Sequence, residues 1–168
     1  MRKTPLILLV VLMGAMCSLA QDTTLTTFIL VRHAEKADDG TKDPDLSPEG
    51  VKRAEALTNL LQNAHIDVVY TTNYKRTRNT VSPVARHHGL EIQVYKPGDA
   101  AAIEKMLNDH PGQTILIGGH SNTIPGIANQ LLGEKQFDDF NENDYGNVLI
   151  VSVASGTSTA SKVTRLRY

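Results

Sequence analysis

The sequence predicts one α/β domain. Short apolar runs alternate with stretches whose apolar residues recur at helical spacing, which is the pattern of strands and helices in turn. The length of 168 residues is enough to bury one hydrophobic core, and we find no internal repeat or low-complexity linker that would divide the chain further.

The composition excludes several classes of protein. An apolar fraction of 40% with 21% charged residues argues against disorder. The 17 basic residues nearly balance the 18 acidic ones, so the net charge does not favour nucleic acid or an anionic membrane as a partner. Cys17 is the single cysteine, which rules out a disulfide framework and a cysteine-based zinc site.

The N-terminus has the order of a secretory signal peptide. A basic start at Met1–Lys3 precedes an apolar run at Leu6–Met13, and small residues at Ser18 and Ala20 suit cleavage before Gln21. We therefore predict a signal peptide at residues 1–20, a domain at residues 21–168, and a periplasmic or secreted protein that is not inserted stably in the membrane after cleavage.

Two alternatives for this segment stay open. The uncharged stretch from Thr4 to Gln21 is about long enough for an uncleaved membrane anchor, although its continuous apolar part is short. A lipoprotein would need lipidation of Cys17, but the bulky Met16 stands where such a site needs a small residue.

The strands are predicted from short apolar runs such as TFILV, DVVYT and TILI. In chain order, the predicted elements are a strand at Thr27–Val31, a helix at Ser47–Ala64, a strand at Asp67–Thr71, a helix at Lys75–His88, a strand at Leu90–Tyr95, a helix at Asp99–Asn108, a strand at Thr114–Ile117, a helix at Asn122–Leu132, and strands at Asn147–Val153 and Lys162–Tyr168.

Capping residues support the helix ends. Ser47 suits an N-cap, and Pro48 suits the first turn that follows it. Gly89 and Gly133 follow the second and fourth predicted helices, where glycine commonly ends a helix.

Two prolines and one turn qualify this picture. Pro83 disfavours helical backbone at Ser82 and is expected to bend the second helix, and Pro125–Gly126 is expected to interrupt the fourth. The last two strands flank Ala154–Gly156 and are predicted to form an antiparallel hairpin.

Polar residues follow three of the predicted strands. Arg32 and His33 follow the first, Arg76 lies in the segment after the second, and His120 follows the fourth. In open α/β sheets the ligand binds beyond the carboxyl ends of the strands, so these side chains are predicted to meet. Paired guanidinium groups suit the oxygens of a phosphate monoester, and a neutral imidazole between them can attack phosphorus.

Four motifs in this order are similar to those of a known family. They are Val31–Lys36 (VRHAEK), Leu46–Gly50 followed by Arg53–Ala54, Thr71–Thr80 with Arg76 four residues before Thr80, and Gly119–Thr123 (GHSNT). Together they resemble the histidine phosphatase superfamily, which includes the phosphoglycerate mutases, and specifically a compact exported member of branch 1. The resemblance extends from about Phe28 to Val151.

The resemblance implies a three-layer α/β/α sandwich with a mostly parallel sheet. It implies a phosphatase that hydrolyses a phosphorylated small molecule through a phosphohistidine at His33. Arg32 and Arg76 would clamp the phosphate, and His120 would bind it and share its charge. Neither a metal ion nor another cofactor is expected.

The proton donor is less well defined by the resemblance. The segment after Thr80 lacks the acidic motif that often supplies it, which leaves Glu35 as the candidate catalytic acid, with Asp99 as a second possibility. The loops at Ala37–Asp45 and Gln136–Gly146 are expected to set substrate specificity. The second loop is acidic and is expected to disfavour highly anionic substrates.

Other functions are weighed against this one. A phosphoglycerate mutase-type phosphotransferase and a non-catalytic phosphate-binding module of the same fold both stay open. A serine hydrolase at Ser121 would need a histidine later in the chain, and His120 is the last one. The remaining histidines lack the spacing of a zinc site. The sequence does not predict the oligomeric state.

Overall fold

The computed structural model of the chain describes residues 24–154 and 160–168. The predicted signal peptide and Cys17 lie outside the described residues. The elements are β1 (Leu25–Arg32), α1 (Pro48–Leu61), β2 (Val68–Thr71), α2 (Lys75–His87), β3 (Ile92–Val94), α3 (Ala100–Asp109), β4 (Thr114–Gly119), α4 (Thr123–Leu132), β5 (Asn147–Ala154) and β6 (Ala160–Arg167). Within these residues no helix is both long and apolar enough to cross a membrane.

The six strands form one sheet in the order β3-β2-β4-β1-β5-β6. The pairs β3-β2, β2-β4 and β4-β1 are parallel, whereas β5 runs antiparallel to both β1 and β6. The mostly parallel sheet and the C-terminal antiparallel hairpin are thus confirmed. Because β1, β2 and β4 are adjacent and parallel, their carboxyl ends lie together at one edge, and this edge carries the polar motifs.

The sheet is covered by helices on both faces. Alternate residues of β1 enter two separate cores, Phe28 and Leu30 on one face and Ile29 and Val31 on the other. Residues of α3 and α4 pack in the first core, and residues of α1 and α2 pack in the second. The three-layer α/β/α architecture is therefore confirmed.

Two expectations about helical backbone near prolines, the loss of helix at Ser82 and the interruption of α4, are wrong, whereas the bend expected at Pro83 stays a prediction. Helix α2 continues through Ser82 and Pro83, because its buried Val81 and Val84 pack on the sheet and outweigh the local preference. Helix α4 is continuous through Pro125 because this proline is in the first turn, where a backbone N–H has no partner within the helix.

The predicted caps are confirmed. Ser47 Oγ accepts a hydrogen bond from Gly50 N at the start of α1. Gly89 and Gly133 follow α2 and α4 with φ of 66° and 74°, in the left-handed region that glycine reaches without strain. Helix α1 ends at Leu61, three residues before the predicted Ala64.

Candidate active site

The carboxyl ends of β1, β2 and β4 surround an open cavity of about 720 Å³. Its lining includes His33, His120, Arg76, Tyr74 and Glu142. Arg32 lies next to it, almost fully buried at the end of β1. The structure therefore brings together all four residues for which the resemblance implied contact with phosphate.

His33 is buried and held in one orientation. Its backbone N–H donates to the carbonyl of Gly119 at 2.8 Å, and its Nδ1 lies 2.8 Å from the carbonyl oxygen of Ala34. A carbonyl can only accept, so the ring proton is on Nδ1 and the lone pair is on Nε2. Burial, together with the charges of the neighbouring arginines, lowers the pKa of His33 from 6.5 to about 4. The imidazole is thus neutral near pH 7, as a nucleophile must be.

His120 is the second imidazole of the cavity. The centroids of its ring and the His33 ring are 5.5 Å apart. Its Nε2 shares a hydrogen bond of 3.0 Å with Thr72 Oγ1, and its backbone N–H donates to Thr123 Oγ1 at 2.9 Å. Burial and the two arginine charges lower its pKa to about 4. Both rings are therefore uncharged beside two cations.

The two arginines are supported by aromatic rings. The guanidinium carbon of Arg32 lies 4.2 Å from the ring centroid of Tyr145, and that of Arg76 lies 4.5 Å from the ring centroid of Tyr74. The Nε–H of each arginine is buried and has no hydrogen-bond partner among the described residues. A buried donor without a partner is costly, so each of these groups is free to bind an acceptor.

The four Nη hydrogens of Arg32 are already engaged. Nη1 donates to the carbonyl oxygens of Asn141 and Asp144, and Nη2 donates to the carbonyl oxygen and the carboxylate of Glu142. Arg32 therefore anchors the loop between α4 and β5 in addition to bordering the cavity. Sequence reasoning did not foresee this second role.

Thr80 joins two of the motifs and was not predicted as a site residue. Its hydroxyl donates to the carbonyl of Arg76 at 2.7 Å and accepts from the backbone N–H of Ala34 at 2.9 Å. The loop that carries His33 is thus tied to the first turns of α2. The spacing of Arg76 and Thr80 by four residues was visible in the sequence, but the contact with Ala34 was not.

Gly119 allows a close approach of α4 to the end of β4. A Cβ atom at this position would lie 2.8 Å from Ile124 Cδ1 and 2.9 Å from Thr123 Oγ1. Both distances are shorter than carbon and oxygen atoms tolerate. The glycine therefore lets His120 sit directly above the start of the helix.

The geometry does not favour Glu35 as a proton donor. Its carboxylate is bound by Arg53 through Nε and Nη2 at distances of 2.6 to 2.8 Å, and it does not line the cavity. Although burial opposes ionisation, the hydrogen bonds from Arg53 lower the pKa of Glu35. Asp99, the other candidate, uses its carboxylate to accept the backbone N–H groups of Ala101 and Ala102 as the N-cap of α3.

Two acidic residues, Asp139 and Glu142, line the cavity, and the second of them, Glu142, contacts its neighbours there. Its Oε1 accepts a hydrogen bond from Ser121 Oγ at 3.0 Å, and its Oε2 lies 3.3 Å from Arg32 Nη2. The sequence marked the surrounding loop as acidic but could not show which of its carboxylates line the cavity. In the described part of the chain, no three His, Cys, Asp or Glu side chains come together as metal ligands would.

The sequence of residues 28–96 matches the family model of the histidine phosphatase superfamily, branch 1. A curated relative, phosphoserine phosphatase 1 of Hydrogenobacter thermophilus, is 39% identical over 74 residues. This match covers 40% of the present chain and 35% of the relative, so the chain spans only about a third of that protein's length.

Solved structures share the fold at low sequence identity. The protein histidine phosphatase SixA, solved with tungstate, aligns with a TM-score of 0.69 and 17% identity over 84% of this chain and 96% of its own. A mycobacterial glucosyl-3-phosphoglycerate phosphatase aligns with a TM-score of 0.67 and 11% identity, over 86% of this chain and 98% of its own. A phosphoserine phosphatase mutant from Entamoeba histolytica, in complex with phosphoserine, aligns with a TM-score of 0.62 and 14% identity, over 78% of this chain and 95% of its own. The predicted resemblance to the histidine phosphatase superfamily is thus confirmed, by the sequence of residues 28–96 and by the fold.

Proposed function

We propose that this chain is a metal-independent phosphatase that hydrolyses a phosphate monoester through a phosphohistidine at His33. One observation carries the proposal: two neutral imidazoles, with ring centroids 5.5 Å apart, lie close to two arginines whose buried Nε–H groups have no partner among the described residues. Such a site suits a group with several negatively charged oxygens. The names of the relatives support a phosphatase rather than a mutase, but they differ in substrate, so no substrate is carried over.

The reaction takes two displacements. In the first, the Nε2 lone pair of His33 attacks phosphorus, a P–N bond forms, and the P–O bond to the leaving group breaks as that oxygen takes up a proton. In the second, water attacks phosphorus, loses a proton, and breaks the P–N bond to release inorganic phosphate. The uncharged state of His33 keeps its lone pair available. Arg32, Arg76 and His120 surround the position where charge develops on the equatorial oxygens.

The test is hydrolysis of p-nitrophenyl phosphate by the wild type and by His33→Ala, with and without a chelator. His65→Ala is the control, because the side chain of His65 is 86% exposed and does not line the cavity. We expect chelator-resistant activity in the wild type and the control and none in His33→Ala. Activity that survives His33→Ala, or that disappears with the chelator, would refute the mechanism.

The alternative of a phosphate-binding module is resolved by the same proteins. Calorimetric binding of inorganic phosphate without hydrolysis of any ester would replace the proposal with that alternative. Transfer of phosphate to an added hydroxy acid in preference to water would instead indicate a mutase-type phosphotransferase.

We also propose that residues 1–20 are a cleaved signal peptide, that residues 21–168 form the phosphatase domain, and that the protein is periplasmic or secreted. The charged start, apolar run and small residues before Gln21 support this. The experiment is expression of the full chain in a bacterium, with N-terminal sequencing of the fractionated protein. The expected N-terminus is Gln21 in the exported fraction, and an intact Met1 in the cytoplasm would contradict the proposal.

A further inference from the structure

The loop at residues 141–146 is fixed to the catalytic edge of the sheet by its backbone. Arg32 Nη1 donates to the carbonyl oxygen of Asn141 at 2.7 Å and to that of Asp144 at 3.2 Å, and Nη2 donates to the carbonyl oxygen of Glu142 at 2.9 Å. Because Arg32 is 2% exposed and is the last residue of β1, it is a rigid anchor. Because His33 is the residue next to Arg32, the backbone of Glu142 has a defined position relative to His33.

The side chain of Glu142, in contrast, is only lightly held. It is 77% exposed, and its two oxygens contact Ser121 Oγ at 3.0 Å and Arg32 Nη2 at 3.3 Å. It lines the same cavity as His33 and His120. Since the Arg32 Nη2 hydrogen that meets this carboxylate is one that a phosphate oxygen would also seek, the two anions compete for it.

We propose that Glu142 is the catalytic acid and base of this site: it protonates the leaving oxygen and then takes a proton from the attacking water. The inference rests on the proposed function and deepens it. Glu35 is bound by Arg53, and Asp99 caps α3. Asp139 and Glu142 both line the cavity, and Glu142 has both its backbone carbonyl and its carboxylate on Arg32.

Binding of the substrate would prepare Glu142 for this role. A phosphate dianion that takes the Arg32 Nη2 donor displaces the Glu142 carboxylate from it and leaves that side chain beside the bound ester. In the first displacement the carboxyl proton of Glu142 goes to the ester oxygen as the P–O bond breaks and the bond from His33 Nε2 to phosphorus forms. In the second, the resulting carboxylate accepts the proton of water as the P–N bond breaks.

The experiment compares two leaving groups in Glu142→Gln. The control is Asp138→Asn, which makes the same charge change in the same connection between α4 and β5, at a side chain that is 88% exposed and paired with Lys135. Glycerol phosphate has an alkoxide leaving group that needs a proton, whereas the nitrophenolate of p-nitrophenyl phosphate leaves without one. We expect Glu142→Gln to lower kcat for glycerol phosphate by about 100-fold or more, and for p-nitrophenyl phosphate by less than about 10-fold. Asp138→Asn is expected to match the wild type.

Binding of inorganic phosphate separates catalysis from loop structure. If Glu142 only held the loop in place, Glu142→Gln would weaken phosphate inhibition and lower kcat equally for both esters. If Glu142 only blocked the anion site, the substitution would raise the activity on both. Either result, or no change on either ester, overturns the inference. The proposed acid and base role predicts phosphate inhibition that is unchanged or tighter.

These results are distinguishable from failure of the proposed function. If the wild type hydrolyses neither ester, or if His33→Ala retains activity, the proposed function fails and Glu142 has no reaction to serve. If hydrolysis depends on His33 but Glu142→Gln leaves the ratio of the two kcat values unchanged, the phosphatase proposal stands and only the assignment of Glu142 fails.

Discussion

Thr80→Val removes the hydroxyl that joins α2 to the His33 loop while it keeps the shape of the side chain. Thr80 is fully buried, and the substitution leaves the backbone N–H of Ala34 without its 2.9 Å partner. An unsatisfied buried donor costs about 1–3 kcal/mol. We therefore expect the free energy of unfolding to fall by that amount, which corresponds to a decrease in Tm of about 2–12 °C for a domain of this size.

The same substitution is expected to affect activity. Without its tether the loop can shift, and a displacement on the order of 1 Å at a reacting group can cost about 100-fold in rate. We expect kcat/KM for p-nitrophenyl phosphate to fall by about 10- to 100-fold. The assays are urea unfolding for stability and initial rates on the folded protein at 25 °C.

Thr58→Val is the matched control for Thr80→Val. Thr58 Oγ1 donates to the carbonyl of Ala54 within α1, as Thr80 does to Arg76 within α2, but within residues 24–154 and 160–168 it accepts no backbone N–H from another segment. Its expected effect on stability is within about 0.5 kcal/mol, with no change in kcat/KM. If Thr80→Val is as stable and active as Thr58→Val, the hydrogen bond between Ala34 N–H and Thr80 Oγ1 does not stabilise the fold and the reasoning is refuted.

Three further predictions concern charge, pH and close packing. Because Arg53 lowers the pKa of Glu35 below its ordinary 4.5, this carboxylate stabilises the fold above about pH 4.5, and the stabilisation is lost as pH falls through its folded pKa. In urea unfolding across pH, Glu35→Gln should therefore lower the free energy of unfolding at pH 7, and its difference from the wild type should vanish in acid. With its pKa lowered to about 4, His33 should keep kcat/KM for p-nitrophenyl phosphate, corrected for ionisation of the substrate, constant down to about pH 5. An acid limb near pH 6.5 would contradict the burial argument. Gly119→Ala should destabilise the fold by about 1–3 kcal/mol and reduce activity. Gly126 is an exposed helical position with open space around its Cβ, so Gly126→Ala should stabilise the fold by about 0.5–1 kcal/mol. Equal effects of the two substitutions in thermal unfolding would show that the contact of Gly119 with Ile124 relaxes.

The order of the elements could be read from the sequence because each depends on local features. Apolar runs mark β1, β2 and β4, and the N-cap at Ser47 and the glycine at Gly133 mark helix ends. The meeting of His33 and His120 followed from the rule that ligands bind beyond the carboxyl ends of parallel strands. Helix continues through Ser82 because packing of α2 on the sheet outweighs local preference, and through Pro125 because this proline lies in the first turn of α4.

The partners of single side chains could not be read in this way. Glu35 follows His33 by two residues, which suggested a role beside it, but its carboxylate pairs with Arg53 on α1, 18 residues away. Arg32 is bonded to a loop more than 100 residues further along the chain. Such contacts depend on how the helices and loops pack in three dimensions, and neither periodicity nor capping carries that information.

The most direct test of the central claim is to look for phosphate on His33. The wild type would be mixed rapidly with glycerol phosphate, quenched in alkali, in which a phosphoramidate bond survives, and digested for mass spectrometry. We predict a phosphorylated peptide with the modification on His33, formed within the time of one turnover and absent from His33→Ala. Turnover without any phosphorylated peptide, or with the phosphate on another residue, would contradict the account.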